Sequence, residues 1–174
     1  MRTILNDTEK KTKEYFDSNG FELLKITEQQ KKTPDFEGDE ILVEVKEIKP
    51  FETGGLQRDS TYNAIKNNLQ DSAKKFRDYD LGHHKTHIVI IFSNDIVKDD
   101  IFSVWTGSFS PNIPDKIFRS GMLLSNEHKK HVDAVAWFKK LSDSAPKFVW
   151  AVNNSIKRFF SETQKIIGSG LILS

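Results

Sequence analysis

The residues best suited to chemistry in this chain are two acids and a lysine that lie close together in the sequence. Asp35 follows a proline, and Glu44 and Lys46 come nine and eleven residues later, with Val45 between them. Neighbouring carboxylates repel each other unless a cation lies between them, and a hard divalent ion suits that position. A lysine beside such an ion can hold a water molecule and stabilise phosphate oxygens. This set therefore predicts metal-dependent hydrolysis of a phosphodiester.

A β-hairpin is the element that would bring these side chains together. Residues 41–47 alternate apolar and charged side chains, which predicts a strand with Glu44 and Lys46 on one face and Val43 and Val45 on the other. Residues 36–40 are predicted to form a turn. Asp35, just before this turn, should then lie on the neighbouring antiparallel strand, close to Glu44.

The flanking segments predict the order helix, three strands, helix, strand. Asn6 and Glu9 resemble a capping box, so a helix should start there, run to about Ser18 and stop at Asn19-Gly20. Residues 21–26 read as the first strand, 60–80 as the second helix and 87–92 as a buried strand. The second helix carries apolar residues at helical spacing: Tyr62, Ile65, Leu69, Ala73 and Phe76.

This order, with Asp35, Glu44 and Lys46, resembles the PD-(D/E)xK nuclease superfamily, which includes restriction endonucleases and Holliday-junction resolvases. The resemblance covers about residues 6–92 and implies a restriction endonuclease-like α/β fold: an αβββαβ core with a central mixed sheet flanked by helices. It implies Mg²⁺, replaceable by Mn²⁺, on Asp35, Glu44 and the main chain of Val45, with Lys46 activating the water. The expected function is a metal-dependent endonuclease acting on nucleic acid, on DNA in preference to RNA.

Many members of this superfamily add a glutamate from the first helix, and Glu9 and Glu14 are the candidates here. Glu9 lies on nearly the same helical stripe as Phe16, whereas Glu14 falls on the opposite side. Glu9 also precedes Gly20 by eleven residues, a separation that resembles the resolvase branch. Glu9 is therefore preferred as a catalytic residue, although capping alone would also favour a glutamate at that position.

Four residues are candidates for substrate binding. Gln57 and Arg58 belong to the loop that follows the strand with Glu44, and Gln70 and Lys74 belong to the second helix. The recombination-nuclease branch places Gln-x-x-x-Tyr on that helix, but here Lys74 stands four residues after Gln70, so that branch is not supported. The pair Lys74-Lys75 is also what the solvated face of an amphipathic helix would carry.

Composition limits the substrate and the compartment. The chain has 174 residues, a size typical of one domain, and a net charge of +1, so any basic surface for nucleic acid must be local. It contains no cysteine, which excludes disulfides and thiolate metal sites and agrees with a cytoplasmic location. No apolar run approaches membrane-spanning length, so no membrane association is expected.

A zinc site made of histidines is discounted. The candidate groups are His83 with His84 and His87, and His128 with His131. Neither group has a cysteine or a well-spaced carboxylate in the sequence to complete it. The pair His128 and His131 instead reads as a polar helix end.

The C-terminal extension, residues 93–174, is predicted to add strands and a helix to the core within the same single domain. Residues 105–117 read as an irregular connection, 132–138 and 148–152 as strands, and 156–167 as an apolar helical stripe. That helix would cover a face of the sheet or form a dimer contact, and the sequence leaves monomer and homodimer open. Trp137 and Trp150 are expected in the core rather than stacked on bases.

Two non-enzymatic functions remain as alternatives. The chain could be an inactive nuclease-like module that binds nucleic acid or a protein partner, or a small immunity or regulatory protein of α/β architecture. Loss of the acids or the lysine would mark an inactive module, and Asp35, Glu44 and Lys46 are all present. The enzyme is therefore the preferred hypothesis.

Overall fold

The protein has an α/β fold with one six-stranded mixed sheet flanked by helices. The structure, a computed structural model, describes residues 4–27, 32–49, 60–94, 98–108 and 120–151. The helices are α1 (Asp7–Ser18), α2 (Ser60–Tyr79), α3 (Lys98–Thr106) and α4 (Asn126–Lys129), with a 3₁₀ turn at Ser120–Met122. The strands are β1 (Leu24–Lys25), β2 (Phe36–Glu37), β3 (Ile41–Glu47), β4 (Thr86–Phe92), β5 (Ala134–Phe138) and β6 (Phe148–Ala151).

The strands lie side by side in the order in which they occur in the chain. The first three are antiparallel, β3, β4 and β5 are parallel, and β6 returns antiparallel to β5. Helices α2 and α3 supply the connections between the parallel strands, as parallel pairing requires. The predicted mixed sheet and the predicted order of elements up to β4 are both present.

Apolar side chains from alternate strand positions build a core on each face of the sheet. Leu42 faces a cluster that includes Ile65 and Leu69 of α2, whereas Val43 faces a cluster that includes Tyr15 and Phe16 of α1. Burial of such a side chain contributes about 1.5–3 kcal/mol. These contacts fix α1 and α2 on opposite faces of β3, so the middle of this strand is enclosed from both sides.

The start and end of α1 follow the local signals in the sequence. The side chain of Asn6 accepts a hydrogen bond from Glu9 N at 2.9 Å, and Glu9 Oε2 accepts one from Asn6 N at 2.9 Å, which completes the capping box. The chain leaves the helix through Gly20 with φ +83°, a conformation that suits glycine. Both predicted boundaries of this helix are confirmed.

The first hairpin differs from the prediction in two respects. The predicted strand 21–26 forms ladder pairs only at Leu24–Lys25. Phe36 and Glu37, predicted in the turn, form β2, because the buried ring of Phe36 pairs opposite Val43 and draws the strand into the core. The turn is therefore confined to residues 38–40.

The C-terminal extension adds β5 and β6, as predicted, and one helix that was not predicted. The irregular connection predicted from residue 105 begins later, because Trp105 belongs to α3. With Ile101 and Val104 it forms the buried face of that helix. Trp137 and Trp150 are core residues, as expected. The predicted helix at 156–167 lies outside the described residues. Among the helices of the described residues, none has the length and apolar content of a membrane span.

Candidate active site

Asp35 and Glu44 meet across the hairpin formed by β2 and β3. Phe36 is paired with Val43, so the preceding residue, Asp35, lies level with Glu44 on the adjacent strand. The backbone N–H of Asp35 donates to Val43 O at 3.1 Å, and Asp35 Oδ2 accepts from Val45 N at 2.8 Å. The hairpin thus brings together the two acids and the backbone residue that the sequence pattern singled out.

The backbone of Val45 points toward Asp35. Among the described residues, β2 pairs with β3 no further than Phe36, and the N–H of Val45 is bonded to the Asp35 side chain instead of to a strand. The N–H and C=O of one strand residue face the same neighbour. The Val45 carbonyl therefore lies on the Asp35 side of β3, where a metal ion held by Asp35 would meet it.

Glu44 is almost fully buried, with 1% of its side chain exposed. Its Oε1 is 2.8 Å from Lys46 Nζ and 2.7 Å from Lys75 Nζ, whereas Oε2 is buried and has no hydrogen-bond partner. Burial and the nearby charge of Asp35 raise the pKa of the Glu44 carboxyl above its ordinary value. A cation at Oε2 would relieve both the missing partner and the repulsion from Asp35.

Lys46 is held by two carboxylates. Its Nζ lies 2.8 Å from Glu44 Oε1 and 2.6 Å from Asp71 Oδ2 of α2. Burial alone would lower the pKa of Lys46, but the charge of Glu44 and the hydrogen bond to Asp71 outweigh it, so the pKa is raised. Lys46 is therefore a protonated ammonium at neutral pH and acts by donating hydrogen bonds.

Glu9 reaches the edge of this site through another lysine. Lys25 Nζ is 2.6 Å from Glu9 Oε1 and 3.0 Å from Asp35 Oδ1. Burial works against the charge of Lys25, but the hydrogen bond to Glu9 and the charge of Asp35 prevail and raise its pKa. Glu14, the other candidate on α1, is exposed. Of the two glutamates, the structure thus places Glu9 beside Asp35.

The charges and donor atoms of this site fit one hard divalent cation. Carboxylate and carbonyl oxygens are the ligands that Mg²⁺ and Mn²⁺ prefer. Four carboxylates, those of Glu9, Asp35, Glu44 and Asp71, outnumber the largely buried lysines Lys25, Lys46 and Lys75 by one, and the exposed Lys32 lies 3.9 Å from Asp71. The buried Oε2 of Glu44, which lacks a partner, is the atom best suited to accept the ion.

None of the contacts described at this site involves a predicted substrate residue. Gln57 and Arg58 lie outside the described residues. Gln70 is half-buried on α2, and Lys74 is exposed. Burial, together with the charge of Lys74, lowers the pKa of His128, which puts the Lys74 ammonium on the side of α2 that faces α4. The structure therefore does not bring Lys74 to Glu44.

Three charged residues of the cluster were missed as site residues. Asp71 and Lys75 stand four residues apart on α2, a spacing that puts them on one side of the helix, and Lys75 rather than Lys74 contacts Glu44. Their spacing was a usable signal. Lys25 had only a weak sequence signal, that of a single lysine in a short apolar strand. Its partners Glu9 and Asp35 are distant in sequence, so no spacing connects the three residues.

A second polar cluster lies at the other end of β4. Of the described residues, only His83, His87 and Asp133 have three candidate ligand atoms within 4.8 Å of one another, so a carboxylate does complete the group that the sequence left incomplete. The two imidazole rings, however, are stacked 4.1 Å apart at 10°. Their in-plane lone pairs therefore do not converge on one ion.

Three ring nitrogens of His83 and His87 lie within hydrogen-bond distance of other groups. His83 Nε2 lies 2.6 Å from Asp133 Oδ2, and His87 Nε2 lies 3.1 Å from Asp80 Oδ2. The other ring nitrogen of His87 lies 3.1 Å from the carbonyl of His131. The arrangement is that of a hydrogen-bonded network that joins the ends of α2, β4 and β5.

Comparison with known proteins gives no relative of this chain. No protein-family model matches the sequence, and neither the curated proteins nor the solved structures give a significant match. The resemblance to the nuclease superfamily therefore depends on the residues and geometry described above, with the Asp35, Glu44 and Lys46 cluster as its centre.

Proposed function

We propose that this protein is a metal-dependent endonuclease with a restriction endonuclease-like core, hydrolysing phosphodiester bonds in DNA in preference to RNA. One observation carries the proposal: Asp35, Glu44 and the Val45 backbone converge in one hairpin, and Glu44 keeps a buried oxygen without a partner. A metal ion at this oxygen would supply the partner that the described residues do not, since most buried polar side-chain atoms have at least one.

Asp35, Glu44 and the Val45 carbonyl would hold Mg²⁺, with Mn²⁺ as a substitute. The ion would supply charge compensation for the phosphate oxygens and lower the pKa of a bound water. Glu44 orients Lys46 by accepting one of its N–H bonds, and Asp71 accepts a second. An ammonium has three donors, so Lys46 keeps one for the attacking water or for a phosphate oxygen.

Nucleic acid would have to be bound by local positive charge. The net charge of +1 provides no overall attraction to nucleic acid, so binding must come from local cations. Exposed lysines at 139 and 140 are available for phosphate contacts. Cleavage assays should therefore compare supercoiled, linear, branched and single-stranded DNA with RNA, at low and moderate salt.

The test of function is Mg²⁺-dependent cleavage by the wild type, Asp35→Asn and Lys46→Ala. Both substitutions should reduce cleavage at least about 100-fold, the loss typical of removing one group that stabilises developing charge. Asp39→Asn and Lys49→Ala are matched controls, because both residues are exposed near the same hairpin. Equal cleavage by the wild type and both site variants would refute the assignment, provided that circular dichroism shows all variants folded.

An inactive nuclease-like module is a second candidate, because the lysines at Glu44 are already paired with carboxylates. Lys46 and Lys75 both bond to Oε1, and Asp71 holds Lys46 from the other side. A protein that only binds nucleic acid could keep this network for stability. DNA binding that does not depend on Mg²⁺, without cleavage of any substrate, would select this candidate.

A further inference from the structure

A lysine ammonium lies between two acids of the candidate site. Lys25 Nζ contacts Glu9 Oε1 at 2.6 Å and Asp35 Oδ1 at 3.0 Å, and only 19% of the Lys25 side chain is exposed. The ammonium also lies 5.1 Å from the centroid of the Phe36 ring, within range of a cation–π interaction. These contacts hold the charge in one place, because any movement would leave two partly buried carboxylates unpaired.

The remaining oxygens of these two acids are also bonded. Glu9 Oε2 accepts the N–H of Asn6 in the capping box, and Asp35 Oδ2 accepts the N–H of Val45. An ion bridging Glu9 and Asp35 would therefore need the space that the Lys25 ammonium fills. Among the carboxylates of the site, Glu44 keeps a buried oxygen without a partner, Oε2.

We propose that Lys25 is the resident cation of the gap between Glu9 and Asp35, so that the protein binds a single divalent ion and not two. This inference rests on the proposed function, since it presupposes the metal site on Asp35 and Glu44. Lys25 acts as a positioning residue: it neutralises Glu9 and holds Asp35 Oδ1, so that an ion shared with Glu44 would use the second lone pair of Asp35 Oδ2, which already accepts the Val45 N–H. Glu9 is then a partner of Lys25 and not a metal ligand.

Counting bound Mn²⁺ tests this directly, and the count needs no nuclease activity. Titration monitored by electron paramagnetic resonance should give one ion for the wild type. Lys25→Met removes the ammonium but keeps the length of the side chain, so Glu9 and Asp35 can bind a second ion and the count should rise to two. The double variant Lys25→Met with Glu9→Gln should return to one.

Lys13→Met is the matched control. Lys13 also donates to a carboxylate and to a backbone carbonyl, those of Asp17 and Leu23, but it lies away from Asp35. The Lys13→Met variant should therefore still bind one Mn²⁺. If Lys25→Met does not fold, the wild-type count decides: one ion supports the inference and two ions overturn it.

The outcomes separate the inference from the proposed function. A wild-type count of two, or a count of one in folded Lys25→Met, overturns the inference and leaves the nuclease site in place. A wild-type count of zero refutes the metal site itself, and the inference with it. One ion in the wild type and two in Lys25→Met support both.

Discussion

The contact between Glu44 and Lys75 gives the sharpest quantitative prediction, because it joins a buried acid to a base that the sequence did not single out. Two unit charges 2.7 Å apart attract by about 6 kcal/mol at an effective dielectric constant near 20. Desolvation and the competing bond from Lys46 reduce this. We expect a coupling energy of about 1.5–3 kcal/mol between the two side chains in a double-mutant cycle.

The cycle uses Glu44→Gln, Lys75→Met and the double variant, each unfolded with urea in metal-free buffer. Glu44→Gln should lose about 3–5 kcal/mol of unfolding free energy, because it leaves Lys75 buried without its acid, whereas Lys75→Met should lose less, because Lys46 still pairs with Glu44. The double variant should lose less unfolding free energy than the two single variants lose together. The pair Lys13–Asp17 is the control, since its side chains are 33% and 40% exposed and its coupling should be about 0.3–0.5 kcal/mol. A Glu44–Lys75 coupling no larger than this would refute the ion-pair network.

Three further perturbations test the rest of the fold. Burial and the charge of His83 keep the pKa of His87 below its ordinary value, so below about pH 6.5 the unfolded chain binds a proton that the folded chain does not. Stability should therefore be full above about pH 7 and fall on acidification, by up to about 1.4 kcal/mol per pH unit, and unchanged thermal midpoints down to about pH 5.5 would contradict this. Gly20→Ala should cost about 1–2 kcal/mol in thermal unfolding, through the backbone strain of φ +83° alone, because no atom lies within 4 Å of the added Cβ. Asn6→Ala should cost about 0.5–2 kcal/mol by removing the cap of α1, whereas Asn6→Asp, which keeps the acceptor, should cost much less.

The hairpin and the two long helices could be predicted because their signals are local. A capping box, a positive-φ glycine and a run of alternating residues each act over a few positions. Asp35 and Glu44 are also close in sequence, so their convergence follows from one turn. The predicted turn at 36–40 was wrong at its start, because burial of Phe36, a tertiary contact, places residues 36 and 37 in β2.

The lysines around the site could not be predicted in the same way. Lys25 meets Glu9 across sixteen residues, and Lys75 meets Glu44 across thirty-one. Such contacts depend on how α1 and α2 are oriented over the sheet, which residue spacing does not specify. The histidine cluster has the same origin, because His83 and Asp133 are fifty residues apart and meet only when β4 and β5 pair.

The position of β3 in the sheet bears on the proposed metal site. On one side β3 pairs with β4 as far as Glu47, which keeps the strand rigid through Glu44 and Lys46. On the other side, among the described residues, pairing with β2 ends at Phe36. The N–H of Val45 donates instead to the Asp35 side chain. The strand is thus paired along one edge, and along the other the backbone of Val45 faces the Asp35 side chain. A carboxylate and a carbonyl oxygen held in place by the sheet would suit a small, geometrically demanding ion such as Mg²⁺.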